Sequence, residues 1–429
     1  MTDLKLFNQR HSKVAYPSDM FKRHYTGKLV GYYVEDTNFY NVMPDDITYD
    51  NNKCVEIGTI YPSSLEIPDW RNISTKVCWL NNASQDGQSI SAIDKIRGAL
   101  NQNAGRVSTT DINPAPKKAS LVGYWEGEKL FFVSLGDFTE CEQEQYSLKL
   151  DVFSRNTGIL ESDIMMSKKA LFIGCGSVGS LAAIELAKAG VGHFMLVDND
   201  IFGYHNICRH QCGIYDVGRY KTAALKDRIL QVNPYAEVVM RNTTIQEVPL
   251  DDLTSFCNPE TIVIGGADNR AGDLYANGIA KQVGMPFMSI GCWERAFAGE
   301  IFYCLPNGMP DYQDFMEVTG NMSGRVTQNR RFYTTEADLE KVSFEPGISV
   351  DINFVTVIAV KMAIDILNRN NENYTQRLLP YLTQYTLVCN TNNTAIGGDM
   401  AEIFSYPLQV TTSIKVPYSP NKKELYDRD

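Results

Sequence analysis

A short glycine-rich segment, Gly174-Cys175-Gly176-Ser177-Val178-Gly179, constrains the fold of this chain more than any other part of its sequence. The apolar run KKALFIG precedes it and is typical of a buried parallel strand, while the residues from Val178 to Ala189 have the apolar period of a helix. Glycines permit a tight turn and let phosphate oxygens approach the backbone, and the start of a helix offers N–H groups and the positive end of its dipole. The segment therefore predicts a strand, a phosphate-binding turn formed by Gly174, Gly176 and Gly179, and a helix.

Strands and helices continue to alternate after this turn. Strands are predicted at HFMLVD, TIVIGGAD and MPFMSIG, and helices at RYKTAALKDRILQVNP, AGDLYANGIAKQVG and Val350–Arg369. Such alternation is typical of a parallel sheet with helices on both faces. We therefore expect an α/β fold over residues 151–429, with a doubly wound, Rossmann-like, mostly parallel sheet. The segments YTLVCN and FSYPLQVTTSIKV predict a C-terminal extension of strands.

Residues 1–150 differ in texture, because they are rich in Tyr, Asn and Asp and are interrupted by Pro and Gly. Short alternating runs near Leu29 and Leu121 predict strands. We expect a separate α+β or β-rich N-terminal domain. Its sequence shows no catalytic constellation, so its role stays open, with substrate recognition as one candidate.

The composition limits the class of protein. The chain has 429 residues, of which 44% are hydrophobic, and a formal net charge of −11. Because a basic patch is missing, no nucleic-acid partner is expected. The first residues, MTDLKLFNQRHSK, contain no apolar run, and the longest apolar stretch, Phe354–Leu367, is short and contains Lys361 and Asp365. We expect a soluble, cytoplasmic protein without a membrane partner.

Ten cysteines are scattered along the chain, and none forms a Cys-x-x-Cys pair. In a cytosolic chain such cysteines are mostly reduced core residues. Cys208 and Cys212 flank His210, but one pair of thiols is a weak signal for zinc, which usually takes four ligands.

Asp198 ends the strand that follows the glycine turn, about twenty residues further along the chain. An acidic side chain at such a position can accept hydrogen bonds from ribose hydroxyls, so the sequence predicts a nucleotide site. The pattern alone does not select the nucleotide, and a dinucleotide-dependent oxidoreductase is the default alternative.

The polar segment after Asp198 favours a triphosphate. It contains Asp200, Asn206, Arg209 and Lys221. A nicotinamide cofactor carries only a diphosphate, whereas a triphosphate needs fixed positive charge, because charge also develops on a leaving pyrophosphate. Asp268 ends a further strand, where a carboxylate is well placed to hold Mg²⁺ through the phosphates. We therefore expect a nucleoside triphosphate with Mg²⁺, and Asp268 as the metal ligand.

Taken in order, these motifs resemble the ubiquitin-activating-enzyme superfamily, which includes the ThiF–MoeB adenylyltransferases of thiamine and molybdopterin biosynthesis. The matching elements are SRN at 154–156, GCGSVG, GVGHFMLVDND, N-x-x-R at 206–209, VGRYK, NP at 233–234 and GADN, within residues 151–370. The resemblance implies a ThiF-like adenylation domain that uses ATP and Mg²⁺ to convert a carboxylate into an acyl-adenylate.

The resemblance also implies roles for single residues. Asp198 would bind the ATP ribose, with Asp200 beside it, and Asp268 would bind Mg²⁺. The phosphates would be held by Asn206, Arg209 and Lys221. Arg155 matches an arginine that reaches into the nucleotide site of the second subunit, so the resemblance implies a homodimer with two sites completed in trans. Catalytic roles are thereby implied for Arg155, Arg209, Lys221 and Asp268.

The chain departs from many family members in the crossover segment before the last helix. This segment, GNMSGRVTQNRRFYTTEADLEKVSFEPGIS, has no cysteine where many relatives carry a catalytic one. Cys292 and Cys304 lie nearby in sequence, but their apolar neighbours are more typical of inert buried thiols.

Three functions remain open. The first is activation of the C-terminal carboxylate of a ubiquitin-like protein, in a bacterial-type conjugation or sulfur-transfer pathway, with a conjugating enzyme as a further candidate partner. The second is activation of a peptide at its C-terminus, as in microcin-type biosynthesis, which needs no such cysteine. The third is a nucleotide-binding scaffold without catalysis, which the intact phosphate and metal positions disfavour.

Overall fold

A computed structural model of the chain describes residues 12–21, 25, 27–34, 39–44, 55–61, 121–126, 128–134, 139–266, 270–306, 308–318 and 346–419. The chain forms two compact units, Met1–Ser154 and Arg155–Asp429, and the described residues of each form one eight-stranded sheet. No helix within the described ranges is long and apolar enough to cross a lipid bilayer.

The first unit is built on a mixed sheet. Its strands and the helix that follows them are β1 (Lys13–Pro17), β2 (Gly27–Val34), β3 (Phe39–Pro44), β4 (Val55–Tyr61), β5 (Leu121–Glu126), β6 (Lys129–Ser134), β7 (Thr139–Glu140), β8 (Glu142–Tyr146) and α1 (Leu148–Phe153). The strand order is β7-β6-β5-β4-β2-β3-β1-β8. The core of this unit includes Val14, Leu29, Trp125 and Phe132. Since eight strands and one short helix make up its described part, this part is β-rich. The sequence runs near Leu29 and Leu121 form β2 and β5.

The second unit alternates strands and helices. Its strands are β9 (Lys169–Ile173), β10 (His193–Val197), β11 (Glu237–Arg241), β12 (Thr261–Gly265), β13 (Phe287–Cys292), β14 (Ala298–Cys304), β15 (Tyr385–Cys389) and β16 (Gln409–Ile414). Its helices are α2 (Ser162–Ser167), α3 (Ser177–Lys188), α4 (Lys221–Val232), α5 (Leu250–Phe256), α6 (Arg270–Val283), α7 (Tyr312–Val318), α8 (Ser349–Leu367) and α9 (Thr394–Gly397).

The order of these strands is β11-β10-β9-β12-β13-β14-β15-β16. From β11 to β13 neighbouring strands are parallel, whereas β14, β15 and β16 pair antiparallel. The chain fills the sheet outward from β9, first toward β11 and then from β12 onward, so the direction of winding reverses between β9 and β12. In open α/β sheets this reversal opens a crevice at the carboxyl ends of the two strands, where ligands bind.

The apolar strands are explained by two cores, one on each face of the sheet. Along β9, Ala170 and Phe172 belong to one core, whereas Leu171 and Ile173 belong to the other. Since successive side chains of a strand point to opposite faces, a strand covered on both sides has to be apolar throughout. The predicted doubly wound, mostly parallel fold is confirmed, and two strands, β11 and β14, lie outside the elements predicted from sequence.

Candidate nucleotide site

Two adjoining cavities lie at the carboxyl ends of β9 and β12. Their volumes are about 260 Å³ for the first cavity and about 330 Å³ for the second. The first is lined by the ends of β9 and β10 and by residues 243–246, and the second by the start of α3, the end of β13 and the start of α8. Gly176, Lys221 and Gly266 line both, so one elongated ligand could occupy the two cavities together.

The three glycines of the turn meet different steric demands. Gly174 has a φ of +92°, in the left-handed region that residues with a Cβ rarely adopt. A Cβ on Gly179 would lie 2.0 Å from the Gly174 carbonyl oxygen, because α3 packs closely on the turn. A Cβ on Gly176 would meet nothing within 4 Å, and this residue faces both cavities. The absent side chain of Gly176 therefore leaves room for a ligand, whereas the other two glycines serve the fold.

The helix α3 begins at the turn without a side-chain cap on its N-terminus. Its first residues, Ser177 and Val178, line the second cavity. The first N–H groups of a helix have no intrahelical partner and carry the positive end of its dipole. This end of α3 is therefore suited to bind a phosphate group.

Asp198 connects the turn to the segment that follows β10. Its Oδ2 accepts a hydrogen bond of 2.6 Å from the Cys175 N–H, and its Oδ1 accepts one of 2.8 Å from the Asp200 N–H. Burial raises the pKa of the Asp198 carboxyl group above its ordinary value, although both N–H donors act in the opposite direction. Because Asp198 lines the first cavity, a ribose there could reach the remaining lone pairs of its oxygens.

Lys221 is the first residue of α4 and is held in place by Asp200. The Lys221 Nζ lies 2.7 Å from Asp200 Oδ2, and the Lys221 N–H donates a 3.0 Å hydrogen bond to the Asp200 carbonyl oxygen. The Lys221 side chain is only 10% exposed, so its charge needs a close partner. Phosphate oxygens in either cavity would provide a second partner for the same ammonium group.

Asn206 and Arg209 line the second cavity together with Lys221. The Asn206 Oδ1 accepts a 2.8 Å hydrogen bond from the Gly203 N–H. This bond identifies the amide oxygen, which leaves the amide N–H groups as donors for a ligand. The structure thus brings Asn206, Arg209 and Lys221 together, with the positive charge and hydrogen-bond donors that phosphates require.

His210 joins this segment to the glycine turn, a role that no sequence pattern assigned. Its Nε2 lies 2.7 Å from the Cys175 carbonyl oxygen, and its Nδ1 accepts a 3.0 Å hydrogen bond from the Cys212 N–H. Since Nδ1 is an acceptor, the ring is neutral and Nε2 carries the proton. Burial lowers the pKa of His210 to about 4. Both nitrogens bind the backbone, and no cluster of metal-ligating side chains occurs among the residues described.

One side of the second cavity is apolar. We call this side the apolar wall, and its residues are Ile290, Gly291, Cys292, Trp293, Ala296, Pro346, Gly347 and Ile352. They come from the hairpin of β13 and β14 and from the start of α8. None of these side chains is charged, so the apolar wall suits the uncharged part of a substrate whose reacting group lies beside the phosphates.

The two cysteines named from the sequence occupy different places. Cys292 belongs to the apolar wall, whereas Cys304 lines neither cavity. The pairing of β13 with β14 places Cys292 opposite Gly299 and Cys304 opposite Phe287, so the cysteines lie at opposite ends of this hairpin. The Cys304 thiol lies 3.6 Å from the Leu305 carbonyl oxygen. Of the two thiols, Cys292 is therefore the one beside the site.

Two residues named from the sequence are not placed in the cavities. Arg155 is exposed in the turn Ser154–Asn156 and lines neither cavity. Asp268 lies outside the described residues, two positions after Gly266, and its role as a metal ligand stays a prediction.

The fold and the site define a Rossmann-like protein with a glycine turn and a basic cluster at the reversal point of its sheet. The ThiF family model matches residues 151–393, and the chain belongs to the ThiF family. The resemblance to the ubiquitin-activating-enzyme superfamily is thereby confirmed.

Several characterised proteins are similar to this chain. The sulfur carrier protein ThiS adenylyltransferase of Bacillus subtilis is 26% identical over 180 residues, which are 39% of this chain and 53% of that protein. Ubiquitin-like modifier-activating enzyme 5 of Dictyostelium discoideum is 25% identical over 154 residues, or 33% of this chain and 40% of that protein. The chain spans about half or less of the length of the curated relatives it matches.

Among solved structures, the crystal structure of E. coli MccB with ATP shares 19% sequence identity with this chain. The alignment covers 60% of this chain and 67% of that chain, with a TM-score of 0.43. A likeness of this size supports no conclusion about function.

Proposed function

We propose that this protein uses ATP to adenylate the C-terminal carboxylate of a ubiquitin-like protein, releasing pyrophosphate. The second cavity is the observation that carries the proposal. Lys221, Arg209 and Asn206 line it together with the uncharged apolar wall. A site with this lining can hold the phosphates of ATP next to the end of an extended chain.

The proposed reaction is an attack of a carboxylate oxygen on the α-phosphorus of ATP. A bond forms between that oxygen and the phosphorus, and the bond from the phosphorus to the bridging oxygen of pyrophosphate breaks. Such a displacement depends on positioning and on stabilising the charge that moves to the leaving group. Lys221 and Arg209 would stabilise that charge, the start of α3 would bind a phosphate, and Asp198 would hold the ribose in the first cavity.

Mg²⁺ is the proposed cofactor. Asp268 follows β12, and Gly266, two residues earlier, lines both cavities, so the position of this carboxylate in the chain fits a metal bound to the phosphates. Carboxylate and phosphate oxygens are the ligands that Mg²⁺ prefers. Asp268 would hold the ion, which when bound would neutralise part of the phosphate charge.

The proposed active unit is a homodimer in which Arg155 of one copy completes the site of the other. Arg155 is exposed and lines neither cavity of its own chain, so it is accessible to a second copy. A guanidinium group that reaches the phosphates from a second subunit would add charge at the edge of the cavities.

A protein substrate is favoured over a small molecule for two reasons. Two relatives are named for their action on a sulfur carrier protein and on a ubiquitin-like modifier. In addition, the chain has a further compact unit before the adenylation domain, and a protein partner needs a recognition surface. We assign substrate recognition to residues 1–150 and adenylation to residues 151–429, and a conjugating enzyme would be a later partner.

Activation of a peptide at its C-terminus is the second candidate. It is favoured by the sequence of residues 319–345, which contains no cysteine that could accept the activated acyl group. Peptide activation of the kind found in microcin-type biosynthesis would need no such cysteine. A nucleotide-binding scaffold without catalysis is the third candidate, and the arrangement of Lys221, Arg209 and Asn206 around one cavity weighs against it.

The test is to purify the protein with its partner, add ATP and Mg²⁺, and search for an adenylylated partner by intact mass spectrometry. A ubiquitin-like protein that gains one adenylyl group supports the first candidate, and a short peptide that gains it supports the second. ATP–pyrophosphate exchange should require the same partner. If the protein binds ATP but adenylylates no co-purified partner and catalyses no ATP–pyrophosphate exchange, only the scaffold candidate remains and the proposal is contradicted.

A further inference from the structure

The apolar wall has two halves that come from distant parts of the chain. Cys292, Trp293 and Ala296 belong to the hairpin of β13 and β14, whereas Gly347 lies just before α8 and Ile352 lies in its first residues. The halves touch each other, because a Cβ built on Gly347 would lie 3.3 Å from the Ala296 Cβ. The width of the cavity at the apolar wall thus depends on the contact between the hairpin turn and α8.

The hairpin turn has a strained backbone. Arg295 and Ala296 have φ values of +54° and +55°, and neither is a glycine. A left-handed residue other than glycine costs about 1 kcal/mol or more and persists only where its surroundings impose it. Two consecutive residues of this kind therefore require specific contacts that hold the turn.

The side chain of Asn390, just after β15, supplies such contacts. Its Nδ2 donates a 2.6 Å hydrogen bond to the Ala296 carbonyl oxygen and a 3.0 Å hydrogen bond to the Asp351 carbonyl oxygen. Asp351 lies in the first turn of α8, next to Ile352 of the apolar wall. The Asn390 N–H also donates a 2.8 Å hydrogen bond to the Phe297 carbonyl oxygen. One buried amide thus binds both halves of the apolar wall.

A second buried group fixes the other side of the turn. The Glu300 carboxylate is 3% exposed and accepts hydrogen bonds from the Trp293 Nε1 at 3.0 Å and from the Tyr385 hydroxyl at 2.9 Å. The Trp293 N–H donates a 2.8 Å hydrogen bond to the Ala298 carbonyl oxygen. The indole is thereby oriented from the strand side, whereas the Asn390 amide hydrogen-bonds both the turn and α8.

We propose that Asn390 is a positioning residue for the carboxylate substrate. Its hydrogen bonds hold the hairpin turn against α8 and so set the width of the cavity at the apolar wall. This inference rests on the proposed function, in which the end of the substrate chain lies along the apolar wall. Asn390 lines neither cavity itself, so it acts through Ala296 and Asp351 and not by touching a ligand.

The variant Asn390→Asp tests this role, since it keeps the shape of the side chain and removes the two N–H donors. The probe is the alkylation rate of the Cys292 thiol by iodoacetamide in the full chain, followed by mass spectrometry of the peptides. We expect the alkylation rate of Cys292 to rise about fivefold or more, because that part of the cavity opens when the two hydrogen bonds of Asn390 are lost. The affinity for a non-hydrolysable ATP analogue should change less than about twofold, a difference too small to indicate a lost contact.

Three comparisons separate positioning from a general loss of structure. Cys257, which is buried at the end of α5, should react at the wild-type rate. The matched control Asn233→Asp removes a buried 2.9 Å hydrogen bond to the Val191 carbonyl oxygen, beside the amino ends of β10 and β11 and so away from both cavities, and should leave Cys292 unchanged. If Asn390→Asp unfolds, Asn390→Ala, which removes the donors without adding charge, takes its place and should give the same selective rise.

An unchanged rate at Cys292 would overturn the inference, and so would a parallel rise at Cys292 and Cys257 or a large loss of nucleotide affinity. The labelling needs no turnover, so these outcomes are independent of adenylation. If no adenylylated partner is found, the proposed function is contradicted. The measured effect of Asn390 on the cavity remains valid in that case.

Discussion

The imidazole of His210 and the carbonyl group of Cys175 are joined by a hydrogen bond of 2.7 Å, which connects the basic segment directly to the glycine turn. The other ring nitrogen accepts from the Cys212 N–H, so the neutral ring satisfies two buried backbone groups at once. The positions of Arg209 and of the turn are therefore linked through a residue that does not itself line the cavities.

His210 should make the protein sensitive to mild acid. Its pKa of about 4 in the folded state lies below the ordinary value of 6.5, so the unfolded chain binds the proton more readily between these values. The contribution of His210 to stability is thus present above pH 6.5 and is lost as the pH falls toward 4. At pH 5 the loss is about 2 kcal/mol relative to pH 8.

Urea unfolding of the wild type and of His210→Gln at pH 8 and pH 5 measures this effect. The variant should lose about 2 kcal/mol less than the wild type between the two pH values. His205→Gln, at an exposed position nearby, serves as the control and should behave as the wild type does. Identical pH dependence in the wild type and in His210→Gln would contradict the assignment.

Lys221→Ala should reduce kcat/KM for ATP in the exchange reaction by about a hundredfold or more, because the variant lacks a fixed charge beside the leaving pyrophosphate. Asp200→Asn should cost less, since it removes only the group that positions the ammonium. Arg228→Ala removes an exposed charge from the same helix and should be neutral. Equal activities of Lys221→Ala and Arg228→Ala would exclude Lys221 from the site.

Replacing two glycines of the turn by alanine, one at a time, should separate an effect on stability from an effect on nucleotide affinity. Gly179→Ala places a Cβ 2.0 Å from the Gly174 carbonyl oxygen and should destabilise the protein by about 1–3 kcal/mol or more. Gly176→Ala meets no protein atom within 4 Å and should keep the wild-type melting temperature, yet weaken binding of an ATP analogue about tenfold or more, because it fills ligand space. Thermal melts and binding titrations check both, and normal nucleotide affinity in Gly176→Ala would show that phosphates do not approach this turn.

Arg155→Ala and Arg209→Ala should each be inactive in exchange and should complement each other when mixed. In a dimer that combines one copy of each variant, one of the two sites keeps Arg209 from its own chain and Arg155 from the other. An equal mixture of exchanging subunits should recover about a quarter of the wild-type rate. Each variant treated alone by the same mixing procedure is the control. If the mixture is as inactive as its components, Arg155 does not complete the site of the second copy.

The sequence predicts most of the second unit, because its strongest signals are local. The glycine turn, the apolar run before it and the periodic helix after it occupy adjacent positions, and the structure has β9 and α3 there. Asn206, Arg209 and Lys221 could be grouped from their order alone, since the carboxyl edge of a parallel sheet gathers the segments that follow its strands.

The hairpin of β13 and β14 is hidden for a physical reason. Hairpin turns are usually marked by Gly, Asn, Asp or Pro, whereas the turn at 293–297 reads Trp-Glu-Arg-Ala-Phe. Its backbone is hydrogen-bonded by Asn390, about a hundred positions away, which no local pattern can show. The role of His210 is also not visible in the sequence, because it depends on the direction in which the Cys175 carbonyl group points.

The strained pair at Arg295 and Ala296 has a consequence for the evolution and engineering of this protein. Glycine adopts a φ of +55° without penalty, so Ala296→Gly relieves backbone strain, but it also removes a buried methyl group and gives the unfolded chain more freedom, so the melting temperature should change little. The same change deletes the methyl group that meets the start of α8 and loosens one side of the cavity. Selection for heat resistance alone should therefore distinguish little between alanine and glycine at position 296, whereas selection for substrate discrimination should retain alanine.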